Sequence, residues 1–151
     1  MVGEERSLNA NDPHDLNRFV QAQIGTYDRA LAELKRGQKR SHWMWYIFPQ
    51  VAGLGFSSMS QRYAITSMEE ATAYLNHPVL GPRLRECAEA MLQVEGRSAR
   101  EILGSPDDMK LKSCATLFAH VSAPGSVFQQ VLEKYYRGEQ DHRTLELLGV
   151  P

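Results

Sequence analysis

The segment Trp43-Met-Trp-Tyr-Ile-Phe-Pro49 holds both tryptophans of the chain, together with a tyrosine, an isoleucine and a phenylalanine. Wound as a helix capped by Ser41 and running from His42 to Phe48, it is apolar nearly all round. Such a helix in a water-soluble chain is a central element that others must cover. Large aromatic side chains bury roughly 150–250 Å² each and dominate cores, so Trp43 and Met44 are expected inside. The remaining sequence has to supply amphipathic elements that wrap this one.

Caps and periodicity identify those elements. Asp12-Pro13 reads as an N-cap with proline in the first turn, and Leu16, Phe19, Val20 and Ile24 recur at helical spacing. The phase continues through Tyr27, Leu31 and Leu34 to Gly37, with Gly25-Thr26 between, so this region is one interrupted helix or two in succession. Ser67-Met-Glu-Glu70 has the capping-box pattern, with Met68, Ala71 and Leu75 as the buried face and His77-Pro78 as the stop. Pro82 suits a first turn. Leu84, Cys87, Ala88, Met91 and Val94 then form a stripe, with Arg85 and Glu89 as an outward i, i+4 pair. Ser98-Ala-Arg-Glu101 is a second capping box, and Ser105-Pro-Asp-Asp108 starts a longer helix facing inward through Leu111, Cys114, Ala115, Phe118 and Val121. After Pro124-Gly125 the stripe Val127, Phe128, Val131, Leu132, Tyr135 marks another helix, and Asp141 opens a last one to Leu148. Arg62 to Thr66 is the one candidate strand, with no evident partner. The reading is all-α: a compact single domain of seven or eight helices over residues 13–149, behind a flexible tail at residues 1–12.

Charge and composition then exclude function classes. Seventeen basic and 18 acidic residues leave a net charge of −1, whereas affinity for nucleic acid through bulk attraction needs a visibly basic surface. No nucleic-acid partner is expected. The longest run dominated by apolar side chains, Trp43 to Phe48, is far short of the roughly 20 residues that cross a bilayer, and Met1 to Asp12 lacks the apolar stretch of a signal peptide. The expectation is a cytoplasmic protein without membrane contact. Cys87 and Cys114 fall on apolar helix positions without metal-ligand spacing, and the five histidines are scattered, so reduced core thiols and no metal site are expected.

The polar flanks of the aromatic segment are where a site would have to lie. Lys39, Arg40 and His42 precede the aromatics, and Gln50 with the glycine-serine loop from Val51 to Ser60 follows. Cations beside an indole and a loop of free amides suit an anionic ligand carrying a flat ring. In that arrangement Lys39 and Arg40 hold phosphate, Trp45 or Tyr46 stacks on the ring, and Gln50 and Ser57 hydrogen-bond it. Lys35 and Arg36 read instead as cations at a helix C-terminus. Gly53-Leu-Gly55 lacks the third glycine and the strand of a dinucleotide fingerprint, and no Gly-Lys-Ser/Thr of a Walker loop follows. Ser113, Thr116 and His120 form a polar stripe that reads as a solvated face, with Asp108 and Lys112 as an i, i+4 pair. Asp108 and His120 are the candidate proton-handling groups. No nucleophile, metal or cofactor motif accompanies them, so the reaction, if there is one, and the cofactor stay unknown.

Lys39-Arg-Ser-His-Trp-Met-Trp-Tyr-Ile-Phe-Pro-Gln50, Gly53-Leu-Gly55 with Ser57, Tyr63-Ala-Ile65, His77-Pro-Val-Leu-Gly81, Asp108-Met-Lys-Leu111 and Thr116-Leu-Phe118 together resemble the bacterial family known as domain of unknown function 1810. The resemblance runs from about Leu16 to Leu148. It implies a compact, mostly helical intracellular domain and no particular activity. Two functional expectations follow from the residues themselves. One is a small-molecule site for a nucleotide-like or ADP-ribose-like ligand; the other is a protein-interaction module using the aromatic and basic patch.

Overall fold

The computed structural model describes residues 11–150. The expected tail, residues 1–12, therefore lies outside the described residues apart from Asn11 and Asp12. Ten helices follow in order among the described residues: α1 Asn17–Gln23, α2 Tyr27–Lys35, α3 Met44–Ile47, α4 Ser58–Arg62, α5 Met68–Asn76, α6 Leu80–Gln93, α7 Ala99–Leu103, α8 Asp107–His120, α9 Val127–Tyr136 and α10 His142–Leu148. The class is all-α, and the larger number has two local causes. The first region divides at Gly25, whose φ of +74° ends α1, and a short helix α4, capped by Ser57, forms in what reads as loop. None of these helices is long and apolar enough to cross a membrane.

Long helix α8 is the hub, packed against α5, α7, α9 and α10, while α6 packs against α2, α5 and α9. α1 lies on α3. As expected, Trp43 and Met44 are core, along with Ile47 and Phe48. A string of rings runs through the centre: Tyr46, Tyr63, Phe19, Tyr74, Phe118 and Phe128 stand with successive centroids 5.4, 5.7, 5.1, 5.4 and 5.7 Å apart. Tilted and edge-on pairs of this kind contribute about 0.5–1.5 kcal/mol each beyond their buried area. The string ties the segment after α2 to the far side of α8.

Local signals hold in part. The Ser98 capping box is made in both directions, and Asp12 accepts from the Leu16 and Asn17 amides at 2.7 and 3.0 Å. Ser67 caps the Glu70 amide. The Glu70 carboxylate, however, reaches past Ser67 to the Thr66 amide and hydroxyl at 2.9 and 2.8 Å and to Arg18 at 2.8 Å. Arg18 also donates to the Arg62 and Ala64 carbonyls, so the pair clamps α1 to the start of α5. Met68, expected inside, is exposed. Arg62 to Thr66 forms no strand, but Ile65 makes an isolated parallel bridge with Val51, with Ile65 N–H donating to Gln50 at 2.9 Å and Ala52 N–H donating to Ile65 at 2.8 Å.

Four expectations on α6, α8 and the aromatic segment are corrected by tertiary partners. Ser113 and Thr116 are buried rather than solvated: Ser113 donates to the Asp141 carboxylate at 3.1 Å and Thr116 accepts the Asp141 amide at 2.9 Å, which docks α10 on α8. Lys112 pairs with Glu139 at 2.6 Å and not with Asp108, and Arg85 donates to the Leu75 carbonyl instead of meeting Glu89. Ser41 caps no helix, and α3 starts only at Met44 with no side-chain cap, because Glu33 takes the Ser41 hydroxyl.

Candidate functional site

Glu33, on the inner face of α2, organises the approach to the aromatic segment. Its carboxylate accepts the Arg40 amide at 2.9 Å, the Ser41 amide at 3.0 Å, the Ser41 hydroxyl at 2.6 Å and the Trp43 indole N–H at 2.8 Å. Burial by itself pushes its pKa up, but these hydrogen bonds outweigh it and hold the carboxyl at about 2. A carboxylate so satisfied stays ionised and fixes the chain from Arg40 to Trp43.

This anchoring decides where the cations go. Lys39 is nearly buried, with its ammonium 2.9 Å from Asp107 and 5.1 Å from the centre of the Trp43 ring. Asp107 also draws Lys110 to 3.4 Å, and Lys110 stands 5.4 Å from the centre of the Trp45 ring. One carboxylate thus places two ammonium groups against two indoles, each a cation–π arrangement. Arg40 is exposed and donates to the Gln38 side chain at 3.2 Å. His42 is exposed as well.

Beyond Trp45 the bridge between Val51 and Ile65 holds two segments side by side, and a cleft of about 150 Å³ opens there. Its walls are Trp45, Gln50, Val51, Gly53, Gly55, Ser60, Gln61, Tyr63 and Thr66, with Ala52 and Ala64. Two glycines shape it. A Cβ on Gly55 would stand 2.5 Å from the Ser60 hydroxyl oxygen, and Gly53, at φ +101°, lies where a Cβ would meet Leu147 of α10 at 3.1 Å. Helix α10, docked through Asp141, therefore backs the loop.

The polar groups of the cleft divide into used and unused. Ser57 accepts the Ser60 amide and donates to the Ser60 hydroxyl at 2.9 Å, so Ser60 keeps its own proton to donate. Gln61 donates to the Phe56 carbonyl at 2.9 Å and keeps its side-chain oxygen. The Gln50 side-chain amide bonds to no other described residue, and neither do the backbone N–H groups of Gly53 and Gly55. No carboxylate, ammonium, guanidinium or imidazole is among the lining residues. Three wider hollows, of about 560, 500 and 320 Å³, contain no tryptophan or tyrosine, and His120 lines the smallest of them.

Of the residues singled out in sequence, the structure brings Trp45 and Gln50 together in this cleft. Tyr46 stacks edge-on against Tyr63 behind the wall, and Ser57 is spent as the cap of α4. Lys39, Arg40 and His42 do not line it, nor do Asp108 and His120. Asp108 sits in the first turn of α8, where its backbone carbonyl accepts the Tyr136 hydroxyl, and His120 is exposed at the other end of that helix. Sequence reasoning missed Gln61, Tyr63 and Thr66, along with Lys110, whereas Ser60 lies in the glycine-serine loop marked in the sequence. Glu33 had a signal: it continues the inward helical phase of Tyr27 and Ala30, where an acid must find donors. Among the described residues no three His, Cys, Asp or Glu side chains converge to hold a metal ion.

Residues 13–148 match the family described as "Protein of unknown function (DUF1810)". No curated protein matches the chain. Among solved structures it is similar to the conserved hypothetical protein Rv1873 from Mycobacterium tuberculosis, at 53% sequence identity and a TM-score of 0.90, with 93% of this chain and 100% of that one covered.

Proposed function

The chain belongs to the DUF1810 family, and we propose that it binds a small, ring-bearing molecule in the cleft beside Trp45. One observation carries this reading: an indole and a side-chain amide with no partner among the described residues share a recess. Ligand sites are concave and mainly apolar, with a few convergent polar groups that set orientation. Trp45 offers a face for the ring, Gln50 offers a paired donor and acceptor, and Ser60 and the Gly53 and Gly55 amides offer further donors.

The anionic half of the sequence expectation finds less support. Lys39 is neutralised by Asp107, and Arg40 does not line the cleft. Lys110, over the Trp45 ring, is the cation nearest in role. With neither Asp108 nor His120 in the cleft, the reading is one of binding, and it assigns no reaction.

A thermal-shift panel of heterocycles, nucleosides and nucleotides on the whole protein tests it, because a ligand that binds the folded state alone raises the melting midpoint. The expected result is a rise for at least one compound that Trp45→Ala or Gln50→Ala abolishes. No rise at millimolar concentration for any of them refutes the proposal. A second reading, a protein partner, is favoured by Phe56, which is 84% exposed beside Gly55. It predicts that Phe56→Ser abolishes recovery of a partner from the native host without altering the thermal-shift panel.

A further inference from the structure

Resting on the cleft being a ligand site, we infer that its ligand is an uncharged, single-ring or fused-ring heterocycle with a hydrogen-bond donor and acceptor side by side on one edge, the chemistry of a free nucleobase or a pyridine carboxamide. Size is the first argument. The cleft offers about 150 Å³, a volume that in an enclosed apolar cavity accommodates a molecule the size of benzene, whereas sites for larger compounds run to roughly 300–1,000 Å³. A ribose and its phosphates would have to remain outside.

Charge is the second argument. A phosphorylated ligand needs cations or a concentrated array of donors, and the walls carry no charged side chain. The lysines that flank the indoles share the Asp107 carboxylate at 2.9 and 3.4 Å. Any contact between Lys110 and an anion would therefore compete with an ion pair already formed.

Hydrogen-bond inventory is the third. Among the described residues nothing bonds to the oxygen or the nitrogen of the Gln50 side-chain amide, and a glutamine amide pairs in two-point fashion with an adjacent donor and acceptor on a heterocycle edge. Ser60 retains a proton to give, the Gln61 side-chain oxygen can accept, and the Thr66 hydroxyl, which donates to Glu70 at 2.8 Å, can only accept. These groups leave the walls with both donors and acceptors for an uncharged polar ring, and the Trp45 and Tyr63 walls provide its apolar contact.

The test is calorimetric titration of the whole protein with adenine, hypoxanthine, uracil and nicotinamide, in parallel with adenosine monophosphate and nicotinamide mononucleotide. At least one free heterocycle should bind, its phosphorylated form should bind no tighter, and Gln50→Ala should weaken binding at least tenfold with an unchanged melting midpoint. Ser60→Ala, weakening binding several-fold, serves if Gln50→Ala does not fold. A monophosphate that binds ten times tighter than its free ring and loses that advantage in high salt overturns the uncharged class while leaving the cleft as a site. Absence of binding by every compound overturns the site itself, and with it this inference.

Discussion

Replacing Glu33 with glutamine removes one charge from the centre of the loop that carries Arg40 to Trp43 and preserves the shape. The glutamine keeps a carbonyl oxygen for the two amides and the Trp43 indole, and the Ser41 hydroxyl can turn to accept from the new NH2 group. What is lost is charge assistance. In the parent, burial would raise the carboxyl pKa, yet the hydrogen bonds from Ser41, Arg40 and Trp43 hold it at about 2 against an ordinary value of 4.5. A carboxylate depressed in this way stabilises the fold fully above its unfolded pKa, and the contribution is lost as pH falls through the folded value. The gap corresponds to about 3 kcal/mol at pH 7 and about 1.5 kcal/mol at pH 3. Glu33→Gln lacks this contribution at every pH. Urea unfolding followed by tryptophan fluorescence should therefore show the variant less stable by about 3 kcal/mol at neutral pH, with the difference roughly halved at pH 3. A loss below about 1 kcal/mol at pH 7, or a difference that stays constant between pH 7 and pH 3, refutes the assignment of Glu33 as an ionised anchor.

Gly81→Ala should be the most damaging single-methyl change, costing about 3 kcal/mol or more, because its Cβ would stand 2.0 Å from the Leu75 carbonyl oxygen; a melting midpoint within a degree of the parent would contradict that contact. The Tyr74 hydroxyl is buried and makes no hydrogen bond of ordinary geometry to another described residue, so Tyr74→Phe is expected to leave stability unchanged or raise it by about 1 kcal/mol in chemical denaturation, and a clear loss would reveal an acceptor, with the Gln23 side chain as the nearest candidate. Burial pushes the Cys87 thiol up to about 12 and raises Cys114 well above its ordinary range. A disulfide reagent should accordingly label neither thiol in the native protein and both after unfolding, and fast native labelling would count against their burial.

Most helices could be read from short-range chemistry. The Ser98 box, the Ser67 cap and the Asp141 cap are all made as local bonds, since a cap and its amide lie within three residues and need no tertiary help. The misreadings share an opposite cause. Ser41 looked like a cap, but a carboxylate from the preceding helix took its hydroxyl. Ser113 and Thr116 looked like a wetted face, but Asp141 arrived from α10 and made burial affordable. The pairs Asp108 with Lys112 and Arg85 with Glu89 had ideal spacing, yet exposed i, i+4 pairs are worth only about 0.3–0.5 kcal/mol. A stronger partner elsewhere displaces them.

By itself the sequence determined the helical class, the burial of Trp43 and the place of the polar flanks, because apolar periodicity and end-capping act over a few residues. Only the tertiary structure decided what those flanks contain. Lys39 and Lys110 meet at Asp107, and Gln50 and Trp45 meet Ser60 and Thr66 across the bridge between Val51 and Ile65. The physical reason is that a charge or a hydrogen-bonding group is available for a ligand only if no neighbour in space has already taken it. Sequence spacing shows which groups are present, and packing determines which of them remain free.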